Sequence, residues 1–280
     1  LNLQLLDWLK SIGVDAVPEH SVGGKRFDVA VPASNLLIEI NGLRWHSMPG
    51  AKTRDLSKHR HAASFGFETL MLFEDEWVNK RQIMCGIIAN RLRINEARCA
   101  RASKCVVERV PVAAADLFYD SHHYIGKAKA GLNYAAFLGG VQVACMSFKR
   151  PTRQTSRHEW ELVRMASSRE VRVHGVWSKL MHAFVLDKAP ASVVSFSDNR
   201  LFTGGVYSRI GFTLDGDVPQ DYYWTKQRSR WHKSGLRKTD SEKATGSTET
   251  ALRTAQGYRK IWDLGKKRWV WRDSCQKSDF

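Results

Sequence analysis

Between residues 26 and 73 the chain carries three short apolar runs: RFDVAVP at 26–32, LLIEIN at 36–41 and FETLMLF at 67–73. No other feature restricts the fold as tightly. Runs of this length, rich in Val, Ile, Leu and Phe and bounded by Pro, Ser, Asn and Gly, read as strands rather than helices. Around them lie helical segments at 1–13, ending at Gly13, at 52–65, ending at Gly66, and at 77–94. The order α-β-β-α-β-α within about a hundred residues is an α/β pattern.

Residues 95–112 are rich in Arg, Ala and Ser and read as a junction between domains. A new pattern begins near Val112. Strands are expected at 134–138, 141–148, 159–165 and 192–197, helices at 176–188 and near 201–209, and a further strand opens at Gly211-Phe212. This is a second α/β or α+β domain. The polar run TDSEKATGSTET reads as a loop, and GYRKIWDLGKKRWVWR as a β-hairpin turning near Leu264-Gly265. The expected division is 1–98, 112–225 and a basic extension at 226–280, with no internal repeat.

The chain has 44 Lys and Arg against 28 Asp and Glu, a net charge of +16. Such an excess points to a polyanionic partner, because cations that neutralise phosphates release condensed counterions. No run of 18 apolar residues is present to span a bilayer, and no basic amphipathic helix points to a membrane surface. The opening LNLQLLDWLKSIG reads as an amphipathic helix rather than a signal peptide. Cysteines stand at 85, 99, 105, 145 and 275 without a C-x-x-C pair, which argues against a zinc ribbon or disulfide framework and fits a reducing compartment.

Asp28 and Glu39 lie in adjacent strands, and Lys58 on the helix that follows. Glu39 is a carboxylate in an otherwise apolar strand, where it needs a partner or a metal. Two such carboxylates can hold one hard cation through oxygen. That cation would polarise a phosphoryl oxygen and activate water, while a nearby Lys or His stabilises charge or moves a proton. Glu74, Asp75 and Glu76 precede a helix and suit its N-terminal charge and capping.

The segments FDVAVPASNLLIEINGLRWHS and KHRHAASFGFETLMLFEDEW resemble the Vsr-like nucleases and their phage homing relatives, of the PD-(D/E)xK superfamily. The likeness covers roughly residues 1–95. It implies Asp28 and Glu39 as ligands of Mg²⁺, with Mn²⁺ able to substitute, and His46 as a proton-transfer or water-positioning group. Asn41 falls where Vsr enzymes carry a metal-binding Asp, and Lys58 would lie near the scissile phosphate of double-stranded DNA. Two positions depart from the pattern: Asn2 or Gln4 stands where relatives carry a Glu, and Asp55 where they often carry a His. Residues 112–224 resemble the acetyltransferase-like GNAT fold through VRVHGVWSKLM and SFSDNRLFTGGVYSRIGF. There, Arg172 and Gly175 match a loop that holds a pyrophosphate at a helix N-terminus. Trp177 replaces a small residue of that loop, Ser178 and Lys179 are placed to touch phosphate, and Asn199, Tyr207 and Gly211-Phe212 match a later motif.

The tail KQRSRWHKSGLRK interleaves cations with an aromatic, and Arg228, Arg230, Trp231, Lys233, Arg237 and Lys238 are expected at phosphates or bases. The combined expectation is a PD-(D/E)xK nuclease domain followed by a GNAT-like domain and a basic extension. It would act as a Mg²⁺-dependent endonuclease in a bacterial cytoplasm, of phage origin. Two alternatives use the same residues: a DNA-modifying acyl-type transferase whose first domain only grips DNA, and a non-catalytic DNA-binding protein with a decayed nuclease fold.

Overall fold

The computed structural model describes residues 1–94, 97–152 and 157–273. The chain forms two compact units, neither of them continuous in sequence. The first comprises Leu1–Met84, Asp198–Leu201 and Pro219–Gly265; the second comprises Cys85–Ser197, Phe202–Val218 and the chain from Lys266 on.

The first unit opens with α1 (Asn2–Ser11), whose Leu5 and Leu9 are buried one turn apart on the same face. Next come β1 (Val17–Val22), β2 (Lys25–Val31), β3 (Leu36–Asn41), α2 (Ala51–Ser64), β4 (Glu68–Phe73) and α3 (Glu74–Asn79). The strands lie in the order β1-β2-β3-β4, with β3 parallel to β4 and the other pairs antiparallel. β3 is paired on both edges and every residue in it is buried, which is why its sequence is a continuous apolar run. The expected strands at 26–32, 36–41 and 67–73 are all present, and β1 is an addition to them. The expected helix at 77–94 is divided: α3 stops at Asn79, Lys80 leaves the helical conformation with φ −132 and ψ 34, and α4 (Arg81–Leu92) begins anew.

The second unit continues through β5 (Arg98–Arg101), β6 (Val106–Arg109), α5 (Val112–His122), β7 (Leu132–Leu138), β8 (Val141–Lys149), β9 (Trp160–Ser167), β10 (Val171–His174), α6 (Val176–Lys188), β11 (Ser192–Asp198), α7 (Gly205–Arg209) and β12 (Thr213–Val218). The chain then supplies the first unit with β13 (Tyr222–Lys226), β14 (Ser229–His232), α8 (Asp240–Ala244), α9 (Glu249–Ala255) and β15 (Arg259–Trp262), and ends with β16 (Lys266–Arg272) in the second. β10 pairs with β5 in a small parallel ribbon. The main sheet of the second unit runs β12-β16-β11-β9-β8-β7-β6. On it packs a core that includes Phe148 stacked on Phe184, with ring centroids 3.7 Å apart.

Two expectations for the tail change. The polar run TDSEKATGSTET holds two short helices, because Thr239 and Thr248 each accept a backbone N–H as N-caps and Glu242 completes a capping box. The expected terminal hairpin does not form: β15 pairs with β13 and β16 pairs with β12, in different sheets. Asp263 explains the parting, since its carboxylate accepts N–H groups from both Asp221 and Gly265 and holds the chain out of a hairpin turn. Residues 274–280 of the expected extension, including Cys275, lie outside the described residues.

Candidate functional site

In the first unit the ladder between β2 and β3 ends at the pair Val29 and Ile38. Beyond it, carboxylates replace carbonyls as acceptors: Asp28 N donates to Glu39 Oε1 and Ile40 N to Asp28 Oδ2, both at 2.9 Å. Lys58 Nζ reaches down from α2 to Glu39 Oε2 at 2.6 Å and lies 4.7 Å from the Phe27 ring centroid. Burial raises the pKa of Glu39, and Lys58 opposes that rise. His46 Nδ1 stands 2.8 Å from Asp55 Oδ2, so the acid at 55 has become the partner of the histidine. His59 bonds the Thr69 hydroxyl.

Glu39, Asn41, His46 and Lys58 therefore line one small pocket with Phe27 and Asp55; Asp28 adjoins it through the backbone. The space is about 20 Å³, close to that of one water-sized sphere. Among the described residues no group of three or more His, Cys, Asp and Glu side chains is arranged as metal ligands. Gln4 serves a structural purpose, accepting from the indole N–H of Trp77 at 3.2 Å.

The basic residues expected at phosphate divide into two groups. Arg230 is committed to acids: its guanidinium meets Asp75 at 3.1 Å and Glu76 at 2.7 Å. Lys233 is held by Asp221 at 2.6 Å, and Lys238 donates to the Ser247 carbonyl. Arg228, Trp231 and Arg237 remain exposed. Arg230 is thereby corrected from a phosphate contact to a member of a buried ion network.

The second unit contains a fork. β9 and β11 run parallel but pair only at Trp160 with Val193 and Glu161 with Val194. Past those residues the strands diverge. At the apex Ser195 Oγ donates to the Leu162 carbonyl at 2.8 Å and lies 3.0 Å from the Tyr207 hydroxyl, which also approaches the Phe196 carbonyl. Burial pushes the Tyr207 phenol up to about 12, so it keeps its proton at neutral pH.

β9 leads through β10 to Gly175, which heads α6 with φ +80, a conformation few residues other than glycine adopt, and without a side-chain cap. The first backbone N–H groups of a helix have no partner within it, and Gly175, Ser178 and Arg172 are exposed there. Trp177 does not obstruct this end: it is half-buried and packs against the core. Lys179, expected near phosphate, instead donates to the carbonyls of Ala102 and Cys105.

No family model matches the chain, and no curated protein matches it. Solved structures do. An IAA acetyltransferase from Bacillus cereus is 15% identical, with a TM-score of 0.34, covering 60% of this chain and 99% of its own. The ribosomal-protein-S18-alanine N-acetyltransferase of Escherichia coli is 10% identical, with a TM-score of 0.37 and coverage of 63% and 99%. A Bacillus subtilis acetyltransferase in complex with CoA is 12% identical, with a TM-score of 0.38 and coverage of 61% and 99%. The expectation of a homing-type endonuclease that hydrolyses phosphodiester bonds is corrected by this outcome, since acetyltransferases are what the chain is similar to. The GNAT-like part of the expectation stands at the level of a mixed α/β fold. Within the first unit, the carboxylate of Glu39 finds its counter-charge in Lys58.

The residues at the fork apex escaped the sequence reading as site residues. Tyr207 carried a signal, lying four residues before Gly211-Phe212. Ser195 carried none, because a serine in an apolar strand does not reveal that its hydroxyl will bridge two diverging strands.

Proposed function

We propose that the chain is an acyl-group transferase that draws its acyl group from a coenzyme A thioester and delivers it to an amine of a nucleic-acid-associated acceptor. The fork between β9 and β11, whose β9 arm leads through β10 to the uncapped start of α6, carries this reading. Diverging parallel strands expose backbone N–H and C=O groups that an amide-bearing arm can pair with as an added strand would. The N–H groups of Val176, Trp177 and Ser178, aided by Arg172, would receive the pyrophosphate at the positive end of the helix. These residues fit that group because glycine leaves the helix end uncovered and Trp177 turns inward.

When bound, the thioester supplies an activated carbonyl that an amine attacks, releasing a thiol. The chain's own contribution is at the apex. Tyr207 holds its phenolic proton at neutral pH, so its hydroxyl can protonate a departing sulfur. Ser195 positions that hydroxyl, and the buried aromatic stack of Tyr207 on Trp269, 5.5 Å between centroids, restricts its movement. The net charge of +16 and the exposed Arg228, Trp231 and Arg237 of the first unit favour a nucleic acid as the partner that presents the acceptor.

Calorimetric titration of the full chain with acetyl-CoA tests the donor side. Binding is expected, and Gly175→Asp should weaken it at least about tenfold, equivalent to about 1.4 kcal/mol, by placing a carboxylate where the pyrophosphate would lie. Absence of binding by the unaltered chain would overturn the reading.

A further inference from the structure

A second cavity in the first unit, of about 210 Å³, is lined by Arg44, Ser47, Thr225, Lys226, Gln227 and Arg259. Three of these six are cations and none is an acid. We propose that this cavity is a phosphate site for the backbone of duplex DNA, built by the turn between β13 and β14 together with the start of β15. The proposal rests on the nucleic-acid part of the reading above and not on acyl transfer.

Three like charges around one space repel one another unless an anion enters. Two other cations of this unit are matched to acids: Arg230 holds Asp75 and Glu76, and Lys233 holds Asp221. Among the described residues the three cations of the cavity meet other kinds of neighbour. Arg44 lies 5.4 Å from the Trp45 ring centroid, Lys226 lies 5.3 Å from that of Tyr258, and Arg259 reaches Met48 Sδ at 2.9 Å. These neighbours orient a cation without neutralising it, so its charge remains available to a phosphate.

The surroundings favour a nucleic acid over a bare anion. Trp45 is 66% exposed and Trp231 38% exposed, and Trp231 meets Tyr258 edge-on at 5.5 Å. Cations interleaved with exposed aromatics match a duplex backbone, in which charged phosphates alternate with the less polar faces of the sugars. The backbone is committed to the shape of the cavity: Gln227 at the turn is held at φ 56 and Gly257 at φ 84, where a Cβ would stand 3.7 Å from Lys226 Cε. A non-glycine residue in the left-handed region persists only where its surroundings demand it.

Fluorescence anisotropy of a labelled duplex against the full chain, over a series of salt concentrations, tests the site. Lys226→Ala and Arg259→Ala should each weaken binding and lower the slope of log K against log salt by roughly 1, the value for one lost phosphate contact. Lys10→Ala, on the exposed face of α1, should leave the slope unchanged. Urea transitions of the same variants, followed by tryptophan fluorescence, should match that of the unaltered chain, showing that they are folded. If the unaltered chain binds duplex DNA and both cavity variants keep its slope, the cavity is not the site. If the unaltered chain shows no salt-dependent binding at all, the nucleic-acid reading fails and this proposal with it.

Discussion

Arg200 grips Glu76 in a two-pronged ion pair, at 3.0 and 3.1 Å, across 124 residues of sequence, and its side chain has no solvent exposure. Asp198 takes a further N–H of the same guanidinium at 2.9 Å, and Arg230 approaches Glu76 from β14. Both guanidinium groups also lie 4.2 Å from the Phe73 ring centroid. The segment Asp198–Leu201 is thus tied to the first unit by charge, and Arg200 O accepts from Met71 N on β4.

Removing this arginine should be costly. Arg200→Ala leaves Glu76 and Asp198 buried without their partner, and breaking a buried pair typically costs about 3–5 kcal/mol. Urea denaturation followed by tryptophan fluorescence should show a destabilisation of about that size in the transition of the first unit. A loss below about 1 kcal/mol would mean the network contributes little.

The same network predicts acid sensitivity. Burial opposes ionisation of Glu76, but Arg200 and Arg230 outweigh it and hold the carboxyl at about 2 in the folded chain, against 4.5 for an ordinary glutamate. A depressed folded value contributes stability that is fully present above pH 4.5 and lost as the pH falls toward 2. A tenfold change in proton affinity is equivalent to about 1.4 kcal/mol, so the contribution is on the order of 3 kcal/mol. Stability measured between about pH 6 and pH 2 should decline in that window, and the decline should be much smaller in Glu76→Gln.

Lys58→Met acts on Glu39 in the opposite sense. Burial already raises the pKa of that carboxyl, and Lys58 is the main influence lowering it. Without the ammonium, the folded state binds a proton at Glu39 more readily than the unfolded state does, so stability falls as the pH rises through the elevated folded value. The variant should lose more stability at about pH 7 than at about pH 5, by roughly 1–3 kcal/mol. Equal losses at both values would show that Glu39 is not the group responding.

Gly204 is the most constrained glycine of the second unit. Its φ is +84, and a Cβ there would stand 2.3 Å from Trp269 Cζ2. Gly204→Ala should destabilise the second unit by about 2–4 kcal/mol, through backbone strain together with displacement of a buried indole. Chemical denaturation is the measurement; a change within about 0.5 kcal/mol would contradict the close approach.

Tyr207→Phe separates chemistry from binding. The lost hydroxyl leaves Ser195 bonded to the Leu162 carbonyl, so the stability cost should stay near about 1 kcal/mol. If Tyr207 delivers the proton, kcat for acyl transfer should fall by roughly 10²- to 10⁴-fold, while acetyl-CoA affinity is unchanged. An unchanged kcat would remove Tyr207 from the mechanism.

The strands of the first unit were legible in the sequence because their burial is local: each residue of LLIEIN is flanked by neighbours that are buried as well. The pocket formed by Glu39, His46 and Lys58 was legible for a similar reason, since all three lie within twenty residues of one another. The fates of Arg230 and Arg200 were not. A basic, aromatic stretch looks alike whether its arginines face phosphate or acids, and the acids at 75 and 76 are more than a hundred residues away from both. The fork of β9 and β11 was hidden because divergence of two strands depends on where pairing stops, and apolar alternation does not record that.

The chain enters the first unit three times and the second three times. Such a protein cannot be dissected by truncation. A fragment ending near residue 98 would lack Arg200, and with it the counter-charge of Glu76, together with the whole of β13, β14 and β15. A fragment covering 112–225 would lack β16, which lies between β11 and β12 in the main sheet. A silent fragment would therefore report only a missing piece of scaffold, and assigning an activity to either unit requires point substitutions within the intact polypeptide.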